Sequence, residues 1–186
     1  MTVKILTDSA CDLPEDVIKE YDIDVMPIIV IDDDTEYLDN VTIKPKTLYD
    51  NMRKGKVYKT SQIPVNTFQD KFEEIATEGR SNIYIAFSSG LSATYQSAVL
   101  TRDNLKEEYP DLDITIVDSK AASLGHGLLV HKAAKMAKEG KSKEEILNML
   151  SFYIDSIEHI FTVDDIEYLF RGGRVTRTQA FLGGLL

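Results

Sequence analysis

The chain has 186 residues, is 43% hydrophobic and carries a formal net charge of -10. That is enough apolar material for one full domain and part of a second, and it excludes disorder as the default. It also excludes a broad basic face, so neither a nucleic acid nor an anionic membrane surface is an expected partner.

The opening "MTVKILTDSA" lacks the long apolar stretch of a signal peptide. No window approaches the ~20 apolar residues that span a bilayer. A cytoplasmic protein with no stable membrane insertion is expected. "VKIL" predicts a first strand. Asp12 and Glu15 form a capping-box-like pair around Pro14, which predicts a helix start. The single cysteine, Cys11, cannot form an internal disulfide, and no C-x-x-C zinc spacing exists. A thiol beside a helix start could have a lowered pKa, but a plain buried thiol is the simpler expectation. "IDVMPIIVI" (23–31) predicts a strand with an edge or bend at Pro27. "DDDTEYLDNV" (32–41) reads as a solvated acidic loop rather than a metal site.

A short helix is expected over 45–53, then an extended stretch, "KVYKTSQIP" (56–64). Asn66 is the expected cap of the next helix, with Phe68 and Phe72 on its core face and Gly79 at its end. "NIYIAF" (82–87) predicts a strand, and "FSSGLSATYQSA" (87–98) opens a helix running to about Glu108. A further strand is expected over 113–119 and a helix over 124–140. Ser142 and Glu145 form a capping box for a last helix to about Ile157. "HIFTVDD" (159–165) reads as strand-like. Alternating strands and helices of this length predict an α/β fold with a mostly parallel sheet and helices on both faces.

Hydroxyl-rich stretches follow three of these strands, where ligands sit in parallel sheets: Thr7-Asp8-Ser9, 88–92 and Asp118-Ser119. A fourth, Thr60-Ser61-Gln62, precedes Pro64. A serine hydrolase is disfavoured, because G-x-S-x-G is absent and no histidine pairs with Ser89 in the sequence. Asp8 suggests an aspartyl phosphotransferase, but Asp12 lies too far along for the usual spacing. Ser92 fits a helix cap. It equally fits an anion clamp, because a helix start offers free N–H groups and a favourable dipole. His126 and His131 are five apart, a poor spacing for one metal. No metal and no cofactor are expected.

"TDSACDLP", "KTSQIP", "SSGLSATYQSA", "VDSKAASLGHGLLV" and "DDIEYLFRGGRVTRTQAFLGGLL" occur in this order along the chain. Together they resemble the DegV family of bacterial fatty-acid-binding proteins. The resemblance implies a non-enzymatic two-domain α/β carrier that holds a long-chain fatty acid such as palmitate. It also implies a partner fatty acid kinase, which phosphorylates the carboxylate that the carrier presents. By motif, Thr60 and Ser92 would bond the carboxyl group, with Ser61 and Ser89 close by. Arg171 and Arg174 of "RGGR" would lie near the pocket mouth or the kinase contact. The sequence departs from the pattern at Ile63, where proline is commoner, and at Ala93, where glycine is frequent. The resemblance further implies one N-terminal domain over 1–157 and a second domain only begun over 158–186. The apolar, Gly-rich end is then a candidate contact for another chain or copy. Two rival readings remain at this point: an Asp8-dependent phosphotransferase or hydrolase, and a protein-interaction module.

Overall fold

The computed structural model describes residues 3–163 and 165–176. Four strands form a parallel sheet: β1 (Lys4–Asp8), β2 (Asp24–Met26), β6 (Asn82–Ala86) and β7 (Ile114–Asp118), in the order β2-β1-β6-β7. Leu6 lies opposite Tyr84, and Tyr84 opposite Ile116. All five residues of β6 are buried, as expected of an inner strand covered on both sides.

The alternation along β1 and β6 divides the core in two. Ile5, Ile83 and Ile85 face α5 (Ser123–Lys138) and α6 (Lys143–Ser156), meeting Leu129, Val130, Ala133, Ile146 and Leu150. Leu6, Tyr84 and Ala86 face α3 (Val65–Glu78) and α4 (Thr94–Glu108), meeting Phe68, Phe72 and Ala98. Phe68 and Phe72 are therefore core, as their helical spacing predicts. The expected α/β class, with helices on both faces of a parallel sheet, is the observed one.

Several local expectations need correction. The strand expected over 23–31 is two strands. Proline has no N–H to give a ladder, and the chain leaves the parallel sheet at Pro27. It re-enters a separate antiparallel sheet, with order β4-β3-β5, made of β3 (Ile29–Asp32), β4 (Thr35–Leu38) and β5 (Lys59–Ser61). The acidic stretch is therefore a hairpin rather than a loop, turning at Asp33 with φ 50°. Asp12 does not cap α1 (Glu15–Glu20); it adopts a left-handed conformation at φ 51° after a 3-10 turn over Ser9–Cys11, and Pro14 occupies the cap position. Pro64, not Asn66, precedes α3, which ends at Gly79 in the left-handed conformation.

The α2 helix (Pro45–Arg53) and the Ser142–Glu145 capping box are as expected. The strand expected over 159–165 does not form among the described residues. Ile160 and Phe161 are exposed there, and the next element is the short α7 (Glu167–Arg171). Ile157, the last residue of the expected first domain, is the C-cap residue of α6. The apolar chain end lies outside the described residues.

Candidate functional site

The carboxyl edge of the parallel sheet carries the hydroxyls. After β6, residues 87–93 loop over to α4. The loop is built from its own serines: Ser88 Oγ accepts from Gly90 N (3.2 Å), and Leu91 and Ser92 amides donate to Ser88 O (3.0 and 3.1 Å). Ala93 holds the cap position of α4 without a side-chain bond, and Ser92 acts one residue earlier. Its Oγ accepts from Thr94 N (3.2 Å) and shares a hydrogen bond with Thr94 Oγ1 (2.9 Å). Among the described residues nothing bonds the Tyr95 and Gln96 amides, so α4 presents free N–H groups beside a half-buried hydroxyl. That combination suits an anion. A methyl group at Gly90 would meet only Ser88 Oγ, at 3.5 Å.

Two aspartates, each the last residue of its strand, hold the loop. Asp118 accepts from Ser89 N (3.0 Å), Ser89 Oγ and Lys120 N, and pairs with Lys120 Nζ (2.6 Å). Burial alone would raise the Asp118 carboxyl, but the bonds from Lys120 and Ser89 outweigh it and hold it below the usual carboxylate range. Asp8 is fully buried; its Oδ2 accepts from Phe87 N (2.8 Å) and the Tyr84 hydroxyl (3.0 Å), and its Oδ1 from Ala10 N (3.2 Å). An Asp8 so enclosed and so fully bonded is placed to hold the loop, not to attack a substrate. Cys11 is a buried thiol pushed up to about 11 by burial, so the lowered alternative is not what the structure contains. Among the described residues no group of His, Cys, Asp and Glu could hold a metal ion. His126 is buried under β1 and β6, while His131 meets the Tyr21 ring edge-on at 5.0 Å.

Thr60 and Ser61 are exposed in β5, at the edge of the antiparallel sheet, where they pair with Val30 and Ile29. This sheet starts three residues after the carboxyl end of β2, and Ser92 follows the carboxyl end of β6. Ile63, fully buried with Leu6, Tyr84 and Ala98, pins β5 to the face that also carries α4. No hydrogen bond joins Thr60 to Ser92. Arg171 pairs with Glu167 (3.2 Å) within α7 and touches none of the other predicted residues through a polar bond. The described residues form a cavity of about 450 Å³ beside Asp24, Asp70, Lys71 and Glu74, and one of about 180 Å³ beside Cys11, Leu13, Val25 and Pro27. Neither is lined by Thr60 or Ser92, and the larger is too charged for a hydrocarbon tail.

Sequence reasoning picked out Ser89, Ser92 and the Asp118-Ser119 stretch, but it did not give Asp118 and Lys120 the role of holding the loop and weighed His126 only as a metal ligand. The visible signal was the repeated Asp-Ser ending of β1 and β7.

The family model described as "Uncharacterised protein, DegV family" matches residues 2–186. The chain belongs to the DegV family. A DegV domain-containing protein of Clostridium perfringens is 46% identical over 184 residues, which cover 98% of this chain and 63% of that protein. A DegV family protein from Thermus thermophilus, described for its fatty acid binding, superposes with a TM-score of 0.85 at 34% identity, over 100% of this chain and 65% of its own. DegV of Bacillus subtilis, described as a fatty acid binding protein, gives 0.86 at 30% identity, again over 100% and 65%. The chain thus spans 63–64% of the length of curated DegV relatives. Among the described residues no helix is long and apolar enough to cross a membrane.

Proposed function

We propose that the protein binds a long-chain fatty acid such as palmitate and presents its carboxyl group, as a cytoplasmic carrier without catalysis of its own, to a partner fatty acid kinase. The observation that carries this reading is the start of α4, where the free Tyr95 and Gln96 amides adjoin Ser92. Fatty acid binding by DegV relatives of the same fold supports it. Ser92 and Thr60 would bond the carboxylate, Ser89 and Ser61 would flank it, and Arg171 would serve the pocket mouth or the kinase contact.

The magnitudes are consistent with such a division of labour. Burying ~14 methylenes is worth roughly 11 kcal/mol at about 0.8 kcal/mol each. One hydrogen bond to a charged group nets about 1.5–3 kcal/mol. Tail burial therefore supplies most of the affinity, and the hydroxyls fix the orientation. Hydroxyls also leave the carboxylate reactive, which a tight Arg or Lys pair would not. Delipidated protein is titrated with palmitate by calorimetry; Thr60→Ala and Ser92→Ala should each weaken binding roughly 10- to 100-fold, matching the loss of one charged hydrogen bond. The kinase role predicts acyl phosphate only when kinase, ATP and loaded carrier are combined. Formation without the carrier would refute that part.

A further inference from the structure

Asp118 grips the serine loop with a side chain only 10% exposed, and an unopposed charge there would repel any anion bound at Ser92. The Ser88 carbonyl accepts from the Leu91 and Ser92 amides, so Ser89 and Ser92 share one tight turn, which Asp118 holds through the Ser89 amide (3.0 Å) and hydroxyl. Against the effect of burial, the bonds from Lys120 and Ser89 hold the Asp118 carboxyl below the usual carboxylate range, so it is ionised at neutral pH. Ser89 does not offset that charge for a ligand. Its one hydroxyl hydrogen goes to Asp118, because the Lys120 ammonium, 3.2 Å from the same oxygen, only donates.

Among the described residues the one cation paired with Asp118 is Lys120, whose Nζ lies at 2.6 Å. Its amide also donates to Asp118, to Oδ1 at 3.2 Å, and its backbone is left-handed at φ 53°. A lysine seldom takes that conformation; here it brings both nitrogens of one residue onto one carboxylate. The hydrogen bond to Asp118 raises the Lys120 ammonium above its ordinary range, and the Tyr95 phenol adds to that hold, so the charge lies within electrostatic reach of the first turn of α4. We propose that Lys120 sets the ligand selectivity of this site: by cancelling the Asp118 charge under the serine loop, it lets neutral donors take an anionic head group in preference to an uncharged one of the same shape. Its ammonium is engaged with Asp118 and Ser89, so Lys120 is a positioning residue that offsets charge without forming a tight pair with the ligand. The inference rests on the reading of Ser92 as a carboxylate clamp.

Palmitate and hexadecan-1-ol share a tail and differ in the charge of the head group. Their affinities are measured at about pH 8 and low salt, with radiolabelled ligand delivered from cyclodextrin to the delipidated whole protein. The readout is the ratio of acid to alcohol affinity, in which any loosening of the loop cancels because it acts on both ligands. Lys120→Gln keeps a hydrogen-bonding side chain but no charge, and should lower the ratio about 3- to 30-fold, the range expected for like charges one turn apart near a solvated surface. Asp118→Asn leaves the ammonium unopposed and should raise the ratio. The double variant should return to within about twofold of the unmodified protein. Near 1 M salt, where screening acts over about 3 Å, both single-variant effects should fade. A ratio unmoved by either substitution, or moved in the same direction by both, would overturn the proposal. If Lys120→Gln fails to fold, the sign of the Asp118→Asn effect decides: a ratio that falls or stays level overturns it. An unmodified protein that binds neither ligand would remove the carboxylate reading and this proposal together; one that binds both, with a ratio the variants leave level, would remove only this proposal.

Discussion

Asp118 is worth more to this protein as an acceptor than as a charge. It gathers the Ser89 amide, the Ser89 hydroxyl and both nitrogens of Lys120, and so ties the loop after β6 to the loop after β7. Its carboxyl lies below the usual range when folded, because bonds from Lys120 and Ser89 outweigh its burial. A group depressed in this way stabilises the fold above its unfolded value and loses that contribution as pH falls through its folded value. Asp118→Asn should therefore lower stability by about 1 kcal/mol at pH 7, a figure kept modest because Lys120 is exposed to solvent. In urea unfolding the difference should shrink as pH drops below about 3.9, the ordinary Asp value. A pH-independent difference would show that shape, not charge, was lost. Ser92 was legible as a loop hydroxyl at a helix start. The loop-holding role of Asp8 and Asp118 was not, because it depends on β1, β6 and β7 being neighbours, and no local spacing records that.

At the scale of elements, the helices were the most legible parts. Their signals are local: Pro45 at a first turn, Gly79 and Gly140 at ends, and the Ser142–Glu145 box. Ser142→Ala should cost about 1 kcal/mol, read as a lower urea midpoint with unchanged slope. The second sheet was legible only in part: β3 and β5 lie within stretches expected to be extended, whereas β4 was missed. That strand is mostly exposed and follows an acidic run, so it lacks the apolar alternation that marks a strand, and the turn before it rests on an aspartate at positive φ rather than a glycine. Close packing was also hidden. A methyl group at Gly127 would run into the Cys11 carbonyl, where α5 crosses the turn after β1. Both groups are backbone and neither yields cheaply, so Gly127→Ala should cost about 1–3 kcal/mol. Gly125→Ala would press on the His159 ring, on an exposed segment that can give way, and would make only ordinary contact with Ala121 Cβ at 3.7 Å, so it should stay within about 0.5 kcal/mol. Equal losses at the two sites would contradict this packing.

Across the whole molecule, the chain passes from the carboxyl end of β2 in the parallel sheet into β3 of the antiparallel sheet, and each sheet carries some of the candidate hydroxyls. The apolar runs made the first sheet legible, since its inner strands carry Ile5-Leu6 and Ile83-Tyr84-Ile85-Ala86. The motif order carried the family. Among the described residues the start of α4 offers hydrogen-bond donors, and neither of the two cavities described above is lined by Ser92 or Thr60. The chain spans 63–64% of the length of two curated relatives. The most direct measurement is calorimetric titration of the delipidated whole protein with palmitate, run beside Ser92→Ala. The account predicts one fatty acid per protein, bound with a negative heat-capacity change from tail burial and weakened roughly 10- to 100-fold by the substitution. A whole protein that takes up no fatty acid, or binds it equally well without the Ser92 hydroxyl, would contradict it.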